Sequence, residues 1–419
     1  MTTRRWWFAA SALAAAAVVG IASCGDDNNE ATAAPPQLSA DPLTLEIQAA
    51  TVPEFATTAR PTVTFRVLDG SGNPIDLEAE LATTTTFPNF SSPGRAPAFT
   101  LAMLDDHDDY LSYYSTTTNP KPYTYTPDPD VLGTNVTEAD VKARFPPAPR
   151  TQAQAITVAR GPNLTSVGNR VYQFTFPAPT TPLDAFDRTK SHKVAGWTVR
   201  RPNAADTDVA FASFNFVPAG GGTARTLETV NDGSNSCGRC HGFVQAHGSR
   251  RGVQFCITCH SPQTGDPETN QTVNFKVMIH RIHSGKTLPT VRQNIPYFIV
   301  GYSQGVLDWS DLAFPWHDHG VRHCTVCHSG SKDADNWKSK PTLAACTSCH
   351  DNVKFTSGAA PDPCPVSSTT SPQGTLGFFK DCMHAGGPIT VPNPNDVVSC
   401  QGCHGPGAAN AVERYHHGD

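Results

Sequence analysis

This 419-residue chain has no surplus of basic charge: 31 Lys and Arg face 37 Asp and Glu, for a formal net charge of −6 at neutral pH. That balance argues against nucleic acid as a partner, because phosphate recognition needs concentrated positive surface. Methionine is scarce at four residues, which leaves its thioether sulfur out as a general ligand. Long apolar runs are few beyond residue 21. An apolar content of 38% with 36 Pro and 32 Gly describes a loop-rich chain short of core material. Something other than side chains must fill part of the interior.

What the chain does have is cysteine in one repeated pattern. Ten of the 13 cysteines lie in five CxxCH motifs: Cys237/Cys240/His241, Cys256/Cys259/His260, Cys324/Cys327/His328, Cys346/Cys349/His350 and Cys400/Cys403/His404. One such motif would also suit a zinc half-site or a redox disulfide. Five, with every CxxC pair followed by His, specify five covalently attached haem c groups, two thioethers and a proximal imidazole for each. Porphyrins are large apolar bodies, and five of them would supply the missing core.

Covalent haem attachment takes place outside the cytoplasm, so an export signal is required. Arg4 and Arg5 followed by the apolar stretch Trp6 to Ile21 provide it. The stretch ends in Ile21-Ala22-Ser23-Cys24, which resembles a bacterial lipoprotein cleavage site. Residues 1–23 are read as the signal peptide, Cys24 as the acylated first residue and residues 24–41 as a flexible tether, so that a lipid anchor holds the protein to the membrane. Gly25 after Cys24, rather than Asp, favours the outer membrane. A single transmembrane anchor of marginal length is the competing reading. Removal of the signal takes away two Arg and no acid, moving the net charge from −6 to −8.

Residues 42–222 contain no CxxCH. Thr62–Val67, Val171–Phe176 and Phe211–Phe216 alternate apolar and polar positions, the pattern of half-buried strands, and Asp69-Gly70-Ser71-Gly72-Asn73-Pro74 is a turn cluster. An all-β domain, sandwich or split barrel, is expected here. The acidic run Asp105-Asp106-His107-Asp108-Asp109 reads as a solvated loop rather than a metal site, and His107 and His192 are too isolated to be ligands. Ala219-Gly220-Gly221-Gly222 marks a boundary, after which residues 223–419 form a loop-rich, partly helical pentahaem domain.

A six-coordinate haem iron needs a second axial ligand. With Met103, Met278 and Met383 the only methionines past the start, five His/Met sites are impossible. Nine non-motif histidines in the pentahaem domain suffice for a bis-His set. Phe275, Met278, Ile279 and Ile282 fall at i, i+3, i+4 and i+7, a helix that Gly285 would stop. His280 and His283 share that helix within one turn and can serve two different irons. His247 follows His241 by six residues on a Gly-flanked segment, and His384 precedes Ala385-Gly386-Gly387, where missing side chains let backbone approach a porphyrin. The last distal ligand is His416, with His417 and His319 as rivals. His317 and His319 sit in a stretch read as a surface loop, and His323 is held off by the adjacent attachment at Cys324. Cys364 and Cys382, with 17 residues between them, are expected to form a disulfide.

The run Phe275–His283, the His247-Gly248-Ser249-Arg250-Arg251 segment after the first CxxCH and the five-motif spacing resemble the OmcA/MtrC family of outer-membrane multihaem cytochromes. The stretch through Asn73-Pro74 is similar too. The resemblance implies a β-barrel-like domain followed by a pentahaem domain, bis-His ligation, and extracellular electron transfer to metal oxides, metal chelates or flavins. It also implies other redox proteins as partners and a place at the outer membrane or cell surface. Familiar members carry ten haems in two such halves; this chain carries motifs for five.

Five haems attached within residues 237–404 would be in near contact, which suits a conduit better than a substrate-specific enzyme. The alternative is a multihaem reductase of nitrite or sulfur oxyanions with one open iron position. No lysine-ligated motif is present, and the spare histidines weigh against a vacancy.

Overall fold

The computed structural model describes residues 43–54, 58–82, 96–200, 207–301, 303–315, 320–351, 356–357, 390–391, 404–408 and 411–416. Strands of the first half are β1 (Thr44–Thr51), β2 (Thr62–Leu68), β3 (Ala98–Leu104), β4 (Tyr110–Ser112), β5 (Ser115–Thr118), β6 (Arg150–Ala153), β7 (Ile156–Thr157), β8 (Leu164–Gly168), β9 (Val171–Thr175), β10 (His192–Arg200) and β11 (Asp208–Phe216). Two short strands, β12 (Gln245–Ala246) and β13 (Arg250–Arg251), follow. The helices are α1 (Leu77–Ala82), α2 (Pro129–Leu132), α3 (Glu138–Arg144), α4 (Val253–Cys259), α5 (Phe275–Ser284), α6 (Asn336–Ser339) and α7 (Leu343–Cys349). Among the described residues no helix is long and apolar enough to cross a membrane.

Antiparallel pairing builds two sheets, ordered β1-β2-β9-β8 and β11-β10-β3-β4, with β7 on β3. β1 also lies against β11, so the sheets meet along an edge as well as face to face. The expected all-β domain is present. Alternation works as read from the sequence in β2, where Val63, Phe65 and Val67 are buried, and in β9, where Tyr172 and Phe174 are. Between the sheets Phe65 meets Phe99 edge-on at 4.8 Å. Gly196 on β10 lies so close to that ring that a Cβ there would sit 2.5 Å from it. Asp69 closes the β2 turn by accepting from the N–H groups of Ser71 at 3.0 Å and Asn73 at 2.8 Å.

Two features differ from the sequence reading. In β11 Ala210, Ala212 and Phe216 face the core, while Phe211 is 42% exposed and covers Gly252 beside β13. β10 shows no alternation because both of its faces are covered. The inter-sheet core takes Val194, and α4 packs through Phe255 with Ala195, Trp197 and Val199 on the other side. The first CxxC-bearing helix is thus docked directly on the β-domain. Thr100 on β3 and Thr258 on α4 share a buried hydrogen bond of 2.7 Å across that contact.

Residues between β5 and β6 carry α2 and α3 and pack against the second half of the chain. Tyr125, Leu132 and Val141 form one cluster with Phe298 and Val300, and Tyr125 Oη donates to Asp308 at 2.5 Å. α5 spans the residues expected of it. Asn274 caps its first turn by accepting from the Lys276 N–H, and Gly285 closes it with φ +43°, its N–H bonded to the Arg281 carbonyl.

Candidate functional site

Four of the five CxxCH motifs lie wholly within the described residues, and all four fold the same way. The His N–H donates to the carbonyl of the first Cys four residues back: His241 to Cys237 at 3.0 Å, His260 to Cys256 at 2.8 Å, His328 to Cys324 at 2.9 Å and His350 to Cys346 at 2.9 Å. One helical turn brings positions i, i+3 and i+4 to one face, so both thiols and the imidazole point the same way. Burial pushes the Cys237 and Cys259 thiols up to about 11 and those of Cys256 and Cys324 up to about 12. Surroundings that disfavour thiolate suit a neutral thioether.

Cys240 shows that the motif cysteines differ in exposure, which their common spacing does not record. It is exposed, as is Cys346, whereas Cys237, Cys256, Cys259, Cys324, Cys327 and Cys349 are half-buried. The difference has a local cause. Cys259 ends α4, which is docked on the β-domain, while Cys240 follows a 3-10 turn of three residues, Cys237–Arg239, and Arg239 beside it is exposed too. The Cys240 N–H closes that turn on the Cys237 carbonyl at 3.3 Å, which holds its side chain one turn on from Cys237 without covering it. Cys240 is also near enough to Cys327 to raise that thiol's pKa, so its exposed position adjoins the third motif.

Each of the four described motif histidines with its cysteines faces a histidine from outside the motifs. Ring centroids are 6.1 Å apart for His241 and His283, 5.9 Å for His260 and His247, 6.1 Å for His328 and His280, and 6.0 Å for His350 and His416. Interplanar angles run from 16° to 86°, so no common stacking preference explains the common distance. An imidazole–metal bond of about 2 Å on each side, plus about 1.1 Å from nitrogen to ring centre, predicts a centroid separation of about 6.2 Å across one shared metal. Among the described residues no group of three or more His, Cys, Asp or Glu could hold a bare ion. Two ligands per centre suit an iron whose other four positions come from a porphyrin, so these residues fit haem c.

The remaining ring nitrogens are arranged accordingly. Nδ1 of His260 lies 2.9 Å from the Val273 carbonyl and Nδ1 of His283 lies 2.9 Å from that of Ile279. Each such contact fixes the tautomer and leaves Nε2 as the lone-pair donor. The carbonyls of Lys276 and Thr229 favour protonation of His280 and His328 in the same manner, although neither Nδ1 has a hydrogen bond of good geometry. Desolvation outweighs these contacts and holds the rings neutral: burial pushes His280 down to about 3 and lowers His260, His283, His328 and His350. His247 takes a left-handed φ of +50° at the tip between β12 and β13, the conformation that turns its ring back onto His260.

The attachment turns touch one another out of sequence order. Asp232, just before the first motif, accepts from the Val253 N–H at the start of α4, which carries the second. Ser236 Oγ donates to the Cys327 carbonyl at 2.5 Å, joining the first motif to the third, and Asn231 Nδ2 reaches the Gly330 carbonyl at 3.0 Å. Cys349 and Cys346 lie close enough to Cys324 to raise its pKa further, joining third to fourth. Ser284 at the end of α5 contacts Cys349 Sγ at 3.2 Å. The spatial sequence is second, first, third, fourth.

His404 of the fifth motif is described, and its partner cysteines Cys400 and Cys403 lie outside the described residues, as do His384, His317, His319, His417, Cys364, Cys382, Cys24 and the leader and tether of residues 1–41. Sequence reasoning placed His280 and His283 on one helix for two irons but did not say which motif each would face. That pairing depends on chain crossings that no local pattern records. The acidic run also differs from its expected solvated state. Asp106 pairs with Lys190, Asp108 with Arg225 and Lys340, and Asp109 with Lys276.

Residues 229–417 match the family model of outer membrane cytochrome MtrC/MtrF-like proteins, domains II/IV. Among solved structures, the outer membrane decahaem cytochrome OmcA is similar over 74% of this chain and 44% of its own, with 20% identity and a TM-score of 0.56. MtrC from Shewanella baltica OS185 is similar over 75% of this chain and 40% of its own, with 17% identity and a TM-score of 0.42. No curated protein matches. This chain therefore spans less than half the length of either relative. The OmcA likeness shows the fold, and the second half of the chain, residues 229–417, resembles domains II/IV of the MtrC/MtrF-like outer membrane cytochromes.

Proposed function

We infer that this protein is an electron conduit of five covalently attached haems, each held between two histidines. The observation that carries this reading is the near-constant 5.9 to 6.1 Å separation of His241/His283, His260/His247, His328/His280 and His350/His416. Bound haem c supplies reversible one-electron exchange at iron. The chain supplies paired neutral imidazoles, thioether turns and direct contact between attachment sites. Those contacts support an order of second, first, third, fourth along the conduit. On this reading the exposed Cys240 and Cys346 keep their attachment roles and would hold the first and fourth haems through a surface-accessible thioether.

For the fifth centre, attached at Cys400, Cys403 and His404, His384 is the distal ligand assigned, now that His416 faces His350. Cys364 and Cys382 form a disulfide on this reading. Residues 1–23 are a lipoprotein signal and Cys24 carries the lipid that holds the protein to the outer membrane, facing the cell exterior. Its partners are other redox proteins on one side and extracellular metal oxides, metal chelates or flavins on the other. Bis-His ligation keeps potentials low, which suits donation to poor oxidants.

Intact mass of the purified chain tests the cofactor count, with five haem masses expected. Stopped-flow reoxidation of the reduced protein by a ferric chelate tests the conduit: all haem absorbance should return to the oxidised form, because connected sites drain through any exposed edge. A fraction near one-fifth that stays reduced would contradict a connected set.

A further inference from the structure

The tip between β3 and β4 carries Asp105-Asp106-His107-Asp108-Asp109, charges that the ligand set does not use. The tip is internally locked. Asp105 Oδ1 accepts from the N–H groups of His107 and Asp109, each at 2.9 Å, and Asp108 takes a left-handed φ of +60°. Lys190 pairs with Asp106 at 2.6 Å, within the β-domain. Asp108 and Asp109 reach out of it, to Arg225 and Lys340 and to Lys276.

The Asp109 contact differs from the others in what it touches. Lys276 lies on α5 one turn before His280, and its Nζ is 2.7 Å from Asp109 Oδ1. Side-chain exposure is 26% for Lys276 and 18% for Asp109, so the pair is only weakly screened. The Lys276 ammonium is near enough to His280 to disfavour a second positive charge there, and the Lys276 carbonyl faces the same ring. Removing either partner of this pair therefore changes the net charge beside the His280–His328 centre by one unit while leaving both imidazoles in place.

We propose that Asp109 is a positioning residue for the haem held between His280 and His328: a carboxylate of the β-domain that neutralises Lys276 and thereby sets that haem's potential. The proposal rests on the bis-His reading above. A cation near iron favours the ferrous state, which has the lower positive charge, and raises the midpoint; an anion lowers it. The β-domain on this account tunes the relay as well as supporting it.

Spectropotentiometric titration of the haem-loaded full chain tests this, following the haem whose low-spin signal is lost in His280→Ala. Its midpoint should rise in Asp109→Asn, fall in Lys276→Gln and stay at the wild-type value in Lys276→Arg. A role in holding the fold alone would move the first two in the same direction. An unmoved midpoint in Asp109→Asn, or shifts of one sign in both variants, would overturn the proposal. If His280→Ala removes no low-spin signal, the ligand reading fails and takes the proposal with it, and that outcome is visible before any potential is compared.

Discussion

The rings of His247 and His260 lie 16° from parallel with their centroids 5.9 Å apart, although His247 opens the three-residue loop of a short hairpin and has a left-handed backbone. The hairpin presents that one ring and buries little else, since Ala246, His247 and Gly248 are exposed. His247→Ala should convert one haem to high spin and leave the others low-spin. The thermal midpoint of the β-domain should not move, because no core contact is lost. EPR and near-UV circular dichroism on the same sample check both halves of this outcome.

His280 and His283 stand on one helix but face His328 and His241, which belong to different motifs. Alanine at either position should therefore perturb one haem, and the double substitution two, with additive loss of low-spin signal. A single substitution that affects two haems would mean that α5 as a whole had moved.

Arg281, between those two histidines, reaches Asp351 at 3.4 Å, with side chains only 13% and 1% exposed. Asp351 directly follows His350, and it also accepts from the Thr290 N–H at 3.1 Å. Burial pushes the Asp351 pKa up, and Arg281 opposes that shift. Arg281→Ala leaves a buried carboxylate without its cation, which costs about 3 to 5 kcal/mol. Chemical denaturation of the haem-loaded chain should show that loss, and Asp351→Asn with Arg281→Met together should recover part of it.

His192 in the β-domain gives a pH dependence separate from the haem ligands. It is fully buried, with Nε2 2.6 Å from the Tyr113 hydroxyl, and desolvation lowers its pKa from 6.5 to about 4. Below pH 6.5 the unfolded chain binds a proton that the folded chain refuses. The contribution to stability is fully present above 6.5, falls as pH drops toward 4 and levels off beneath it. Over that window it amounts to about 3 kcal/mol. Denaturation at pH 7 and pH 4.5 should show the wild type losing more stability than His192→Gln, whose amide does not titrate.

Much of this was legible in the sequence where a local rule fixes the outcome. Val63, Phe65 and Val67 alternate because one face of β2 meets solvent-side neighbours and the other the core. Asn274 and Gly285 bracket α5 because a helix end needs a side-chain acceptor at one terminus and a residue free of Cβ strain at the other. β10 was not legible, since a strand covered on both faces loses the period-two signal. Nor was the exposure of Cys240, because a CxxCH spacing is the same on a surface turn as on a docked helix. The acidic tip looked solvated because its cations come from far along the chain, 117 residues away for Arg225 and 232 for Lys340. Which histidine faces which motif was hidden for the same reason. Composition limited the ligands to histidine, and topology chose the pairs.

The central claim is that every iron is held by two histidines, and the spin state of the oxidised protein tests it most directly. EPR with magnetic circular dichroism of the haem-loaded full chain, normalised to five haems, should show low-spin ferric signals accounting for all of them. A high-spin ferric signal near one-fifth of total haem would contradict the account and point to a centre with an open position.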